Sequence, residues 1–324
     1  MMDDAQAYEL ASAAQRAWLC QGAPLQLVWR SENIVFATLH GSGAKLALRL
    51  HRPGYQDPAA IACELAWCAQ LADAGVAVVE PLPAASGAWI AQVQGMTASC
   101  LRWISGKPFG EAGVPLADSA VLKRAGELGA LLADLHNASD AGACPAPFAR
   151  ASWDREALIG PAPRLGPFWE NPTLAPEESL LLQQAREKAA LLLPQATDYG
   201  PIHGDVLRSN VMVEAGALRL IDFDDCGPGW RLYDLATALI QSWGDPDLPE
   251  QARRLVQGYR TRRALPDDQL ALLPLFLALR GFASAGWVVS RAPQDLPRQR
   301  AYAQRALDLA QLLLADTPPW EDIG

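Results

Sequence analysis

The chain has no C-x-x-C spacing and no paired cysteine framework. Its six cysteines (Cys20, Cys63, Cys68, Cys100, Cys144 and Cys226) therefore read as reduced thiols in a cytoplasmic protein, with neither zinc nor disulfides implied. It lacks a basic excess: 27 Lys and Arg against 36 Asp and Glu leave a net charge of −9, the wrong sign for a nucleic-acid partner. It lacks a basic segment ahead of an apolar run in MMDDAQAYELASAAQRAW, so no signal peptide is expected. No long uninterrupted hydrophobic run occurs either. The most apolar segment, Leu270 to Val289, contains Arg280 and several small residues, which points to a buried helix and no membrane span. Internal repeats and low-complexity tracts are also absent. What remains is a chain of 324 residues, half of them hydrophobic, enough for one large domain or two with a sizeable core.

One stretch concentrates chemistry-bearing residues: GPIHGDVLRSNVMVEAGALRLIDFDDCGPGWRLYDL, from Gly200 to Leu235. A loop carries His203, Gly204, Asp205 and, five residues on, Asn210. A short hairpin follows, Val211 to Val213 turning through Glu214-Ala215-Gly216 into Ala217 to Ile221, and it returns Asp222 to the end where it began. Phosphoryl transfer asks for such a set, with one carboxylate near the attacking hydroxyl and an amide oxygen plus a second carboxylate for magnesium.

These residues resemble the H-x-D-x-x-x-x-N and Asp-Phe elements of the protein-kinase-like superfamily, and the pattern is closest to its aminoglycoside phosphotransferase branch. That branch also holds choline, homoserine and hydroxylysine kinases and a stress-response kinase acting on proteins. The resemblance implies an α+β, bilobal protein-kinase-like fold. Residues 1–104 would form a small β-rich nucleotide-binding lobe, and residues 105–324 a larger, mainly helical lobe with the acceptor site. It implies ATP and Mg2+ as cofactors, Asp205 as catalytic base, and Asn210 and Asp222 as metal ligands. Arg208, inside the loop, is a candidate for neutralising the transferring phosphoryl. Asp234, in the Tyr233-Asp234-Leu235 coda, looks like the family's buried carboxylate that braces the catalytic loop.

The strand Lys45 to His51 places Leu46, Leu48 and Leu50 on one face and Lys45, Ala47, Arg49 and His51 on the other. Leu46-Ala47-Leu48-Arg49 resembles the kinase V-A-I-K strand with arginine in place of lysine, so Arg49 is the candidate phosphate grip. Arginine's planar fork makes the exchange chemically workable. Asp57-Pro58 starts a helix, and its Glu64 is the carboxylate that would orient Arg49. The glycine-rich loop of protein kinases is missing from Trp29-Arg30-Ser31-Glu32-Asn33-Ile34, which leaves Ser31 and Asn33 as candidate phosphate contacts. Backbone groups near Leu101 to Trp103 are candidates for the adenine edge.

Leu128, Leu131, Leu132 and Leu135 mark a central helix ending near His136, itself read as a packing or capping residue. Pro176 to Leu193, Leu248 to Arg263, Pro266 to Arg291 and Pro297 to Ala315 are further helices. Asp224, Asp225, Trp230 and Arg280 are candidates for the acceptor. Arg280 stands in an apolar helix, where an unpaired guanidinium is costly, so it pairs either with a structural carboxylate or with an anionic group of the acceptor. Eleven residues separate Asp222 from Asp234, too few for the peptide-docking segment of regulated protein kinases. The expected acceptor is therefore a small-molecule alcohol or amino alcohol, and the expected assembly a monomer or homodimer. A stress-response-type Ser/Thr kinase and a nucleotide-binding pseudokinase scaffold remain as alternatives.

Overall fold

The computed structural model describes residues 3–30, 33–110, 119–320 and 323. In chain order the first elements are α1 (Asp4–Ala14), β1 (Gln26–Arg30), β2 (Ile34–Leu39), β3 (Lys45–Leu50), α2 (Pro58–Asp73) and β4 (Pro81–Leu82). Then come β5 (Ile90–Val93), β6 (Met96–Arg102), β7 (Lys107–Pro108), α3 (Ser119–Asp140), α4 (Arg155–Ile159), α5 (Pro176–Leu192) and β8 (Tyr199–Ile202). The last are β9 (Val211–Glu214), β10 (Ala217–Leu220), β11 (Gly227–Trp230), α6 (Arg231–Ile240), α7 (Leu248–Arg260), α8 (Asp267–Leu270), α9 (Leu273–Arg291) and α10 (Leu296–Leu314). The chain divides into two compact units. One comprises residues 1–107, 141–150 and 212–224; the other comprises 108–140, 151–211 and 225–324.

The first unit is built on an antiparallel sheet of order β1-β2-β3-β6-β4, with β5 also paired to β6. Strand alternation sends Leu46, Leu48 and Leu50 of β3 into a core shared with Phe36, Met96, Ala98 and Cys100, and Arg49 to the other face. Helix α1 covers that core with Ala7, Ala11 and Ala14. A reciprocal cap between Asp3 and Gln6 starts it, so the acidic N-terminal stretch is a structural helix. Asp57 caps α2 by accepting from the Ala60 amide at 2.7 Å, with Pro58 in the first turn. Trp67 of α2 meets Phe148 and Phe223 edge-on, at 5.1 and 5.4 Å between centroids. The turn between β9 and β10 has both central residues, Ala215 and Gly216, at positive φ (50° and 86°), which suits a two-residue hairpin. Leu220 and Val79 exchange main-chain bonds with this unit's core: Val79 N–H donates to Leu220 O and Leu220 N–H to Ala77 O.

The second unit is mainly helical, as the α+β reading expects. The stripe Leu128, Leu131, Leu132 and Leu135 of α3 is buried, and α3 lies closely against α7. The stretch 266–291 is not one helix. It breaks after α8, and Pro274 in the first turn of α9 cannot continue a ladder begun upstream. Residues Asp267–Arg291 are long and apolar enough by composition to cross a membrane (mean hydropathy 1.7), but 83% of the apolar window is buried inside the protein, as in a core helix.

Candidate active site

In the first unit a cluster of charge forms around Arg49, which is 5% exposed. Its guanidinium lies 2.6 Å from Asp224 Oδ1, 3.4 Å from Glu64 Oε1 and 3.4 Å from Asp222 Oδ1. Burial works against this charge, yet Asp224, Glu64 and Asp222 together raise the Arg49 pKa above its ordinary value. The nearest carboxylate is thus Asp224, and Glu64 stands farther off as a second anchor. A second guanidinium completes the cluster: Arg150 sits 3.6 Å from Glu64 Oε2 and donates to Ala60 O at 3.0 Å and to the Asp224 carbonyl. Burial pushes the Glu64 carboxyl up, Asp224 adds to this, and Arg49 and Arg150 oppose it. Asp224 is held low because Arg49 foremost, with His51 and Asn33, outweighs its burial.

Asp224 therefore belongs to the arginine cluster of this unit. The Asn33 amide donates to Asp224 Oδ2, and its oxygen accepts from the Arg52 amide at 3.4 Å. Ser31 lies outside the described residues. Asp222 takes a left-handed backbone conformation, φ 63°, uncommon for a residue with a side chain and most tolerated by Asp and Asn. Its side chain is 49% exposed, so carboxylate oxygen remains available beyond the Arg49 contact. Near the expected base-binding stretch, the Trp103 amide already donates to Lys45 O at 3.3 Å, and Lys45 Nζ lies 3.7 Å from the Trp103 ring. Leu101 is paired in the sheet with Ala47 and Pro81.

In the second unit the loop from His203 to Asn210 is tied to the start of α6. Asp234, fully buried, accepts from the His203 and Gly204 amides at 2.8 Å each and faces His136 Nε2 at 3.2 Å. The Tyr259 hydroxyl lies 2.9 Å from His136 Nδ1. Burial lowers the His136 pKa to about 4, so the ring is neutral near pH 7. Its Nε2–H then donates to Asp234 while Nδ1 accepts from Tyr259. Gly204 is required here: its φ is +80°, and a Cβ would stand 2.6 Å from Asp225 O.

The braced loop presents Asp205, whose side chain keeps 22% exposure. Asn210 Nδ2 donates to Asp205 Oδ2 at 2.9 Å and to its carbonyl at 2.9 Å, and Arg280 Nη2 donates to Oδ1 at 2.8 Å. Burial pushes the Asp205 carboxyl up to about 6; Arg280 and Asn210 pull it down, and Asp225 and Asp234 push it up. Asn210 offers its amide oxygen in turn. That oxygen is a hard donor of the kind magnesium and calcium prefer. No group of three or more His, Cys, Asp or Glu is arranged for a metal among the described residues.

Arg280 thus pairs with a carboxylate, and that carboxylate is the candidate base itself. Arg208 turns elsewhere: its guanidinium binds Ser242 Oγ at 2.8 Å and Asp245 at 3.3 Å, and its amide donates to Gln241. These bonds fasten the loop to the end of α6. Asp225 faces Arg164 at 3.4 Å, and its carbonyl accepts from Trp153 Nε1 at 2.7 Å. Trp230 packs on Tyr199 and Phe276 and donates to Ala196 O at 3.2 Å, so it shapes the core beneath α9. The sequence reading missed Arg150, Arg164 and Trp153, which lie in segments rich in Pro, Gly and Ala with no periodic signal.

The model of the phosphotransferase enzyme family called APH matches residues 25–270. A microcompartment-associated aminopropanol kinase of known structure is 30% identical, with 96% of this chain and 98% of that one covered at a TM-score of 0.84. An amicoumacin kinase solved with AMP-PNP, Ca2+ and amicoumacin has the same fold, at 20% identity, a TM-score of 0.77 and coverage of 99% and 96%. A homoserine kinase of Pseudomonas aeruginosa is 36% identical over 142 residues, which is 42% of this chain and 43% of that protein.

Proposed function

The chain belongs to the APH phosphotransferase family, a kinase acting on small-molecule hydroxyls, and from that premise we propose that it moves the γ-phosphoryl of ATP to an alcohol of a small amino compound. The observation that carries this reading is the Asp205 carboxylate, fixed by Asn210 at 2.9 Å and Arg280 at 2.8 Å on a loop braced by Asp234.

Asp205 accepts a hydrogen bond from the acceptor hydroxyl and aims its oxygen at the phosphorus. Each carboxylate oxygen has a second lone pair, so Asn210 and Arg280 do not saturate it. The proton passes to Asp205 late, because a loose transition state asks little of a base. Arg49, oriented by Glu64 and Asp224, grips phosphate oxygens. Asp222 and the Asn210 amide oxygen would hold a divalent cation, Mg2+ in this reading, which when bound neutralises charge on the phosphates. We place it in the cytoplasm, on the reading of its six cysteines as reduced thiols.

The test is Asp205→Asn with acceptor-dependent ADP release as readout. Removing a positioned base lowers turnover by about 100-fold or more. Turnover within a few-fold of wild type would take Asp205 out of this role.

A further inference from the structure

The stretch 141–150 belongs to the first compact unit, while the residues before and after it belong to the second. Its last three residues run along one face of α2. Phe148 meets Trp67 edge-on at 5.1 Å, the Ala149 amide donates to Cys63 Sγ at 3.2 Å, and Arg150 Nη1 donates to Ala60 O at 3.0 Å. Ala60, Cys63 and Trp67 recur at 0, 3 and 7, so they share that face, and Glu64 lies on it between them. The chain is thus strapped to the helix that carries Glu64, and the strap ends on a buried guanidinium.

Arg150 does more than cover a helix. Three carboxylates surround Arg49: Asp224 at 2.6 Å, Glu64 at 3.4 Å and Asp222 at 3.4 Å. One guanidinium cannot balance them. His51 does not help, because burial lowers its pKa to about 3 and leaves the ring neutral near pH 7. Arg150 is the second cation. It stands 3.6 Å from Glu64 Oε2, an oxygen with no hydrogen bond among the described residues, and its Nη2 donates to the Asp224 carbonyl. Gln56 shares that carbonyl at 3.2 Å but brings no charge. Asp222, about half exposed, keeps the remaining negative charge at the surface. Without Arg150, the buried Glu64 and Asp224 would lean on Arg49 alone, and N–H groups otherwise free for phosphate would turn to them.

We propose that Arg150 is a positioning residue for nucleotide binding: by balancing Glu64 and fixing Asp224 it keeps Arg49 free to grip phosphate. This rests on the kinase reading above and extends it to a residue outside every motif of the sequence.

The experiment measures dissociation constants for Mg·ATP and for adenosine, which has no phosphate, by calorimetry. The proteins are wild type, Arg150→Met, Arg150→Lys, Arg49→Met and the double variant of Arg49→Met with Arg150→Met. Arg150→Met is expected to weaken Mg·ATP by about 10- to 100-fold, the worth of one charge-assisted hydrogen bond, and to move adenosine by less than about threefold. In the Arg49→Met background the same exchange costs less than about twofold, because the grip through which Arg150 acts is gone. Arg150→Lys, which keeps the charge but not both backbone bonds, falls between wild type and Arg150→Met. Where Arg150→Met does not melt cooperatively, Arg150→Lys takes its place in the cycle with the same outcomes. An equal loss for Mg·ATP and adenosine makes Arg150 a support of the fold alone and overturns the inference. Losses that simply add in the double variant overturn it too, since Arg150 would then act apart from Arg49. Unchanged Mg·ATP affinity in Arg150→Met overturns it and leaves the kinase reading standing, whereas wild-type protein with no affinity for Mg·ATP sinks both.

Discussion

Asp234→Asn probes the brace beneath the catalytic loop with almost no change of shape. The wild-type carboxylate is fully buried and receives three bonds, from the His203 amide and His136 on Oδ2 and from the Gly204 amide on Oδ1. An asparagine has one acceptor oxygen. Its best orientation keeps that oxygen toward His203 and His136, and sets an NH2 against the Gly204 N–H, donor to donor. One bond is lost, a buried donor is left unsatisfied, and the two remaining bonds change from charge-assisted to neutral. At about 1 kcal/mol for each weakened bond and about 1–3 kcal/mol for the unsatisfied donor, the cost is roughly 3–5 kcal/mol. The lower desolvation cost of a neutral amide offsets part of it, leaving about 3 kcal/mol. The loop carrying Asp205 loosens, and a misplacement near 1 Å costs about 100-fold in rate. In a coupled ADP-release assay kcat falls by about that factor, while KM for ATP changes less, because Arg49 and its partners lie on other elements and only Asn210 rides on the loosened loop. A variant with wild-type kcat and unchanged melting would refute both the brace and its assigned magnitude.

Two further outcomes follow from the packing. Gly258→Ala puts a methyl 1.9 Å from Gly126 O, a backbone atom that cannot turn aside, so α3 and α7 must part; a loss of about 3 kcal/mol or more is expected in thermal melting, whereas Gly41→Ala, with nothing within 4 Å, should melt like wild type. The buried His136, whose pKa is lowered to about 4 from an ordinary 6.5, binds fewer protons folded than unfolded between those values. Its contribution is complete above about pH 6.5 and is lost as pH falls toward 4. The full loss is about 3 kcal/mol, and burial of His51 acts in the same direction. Melting temperatures that stay level from pH 7 to pH 5 would contradict this assignment.

What the sequence made legible are features with a local rule behind them. Alternation along β3 fixed which face Arg49 takes, and Asp57-Pro58 marked the start of α2. The five-residue step from Asp205 to Asn210 appears in the structure as a side chain bonding back to the loop that carries it. What stayed hidden depends on partners far apart in the chain. Arg280 stood out as a guanidinium in an apolar helix, but its partner is 75 residues away, and nothing local says which carboxylate it meets. Asp224 and Asp225 were read as a pair, yet the division between the two compact units falls between them, and each serves a different set of arginines.

Asp222 shows the limit of sequence reading most directly. Its residue type was readable as a metal ligand, but its left-handed backbone was not, since only the surrounding structure can hold a non-glycine residue there. Asp and Asn tolerate that conformation best among residues with side chains, and of these only Asp also supplies a full negative charge to Arg49. Backbone and charge therefore select the same residue independently. A site under one of these demands alone would accept Asn or Gly at this position, and a site under both would not.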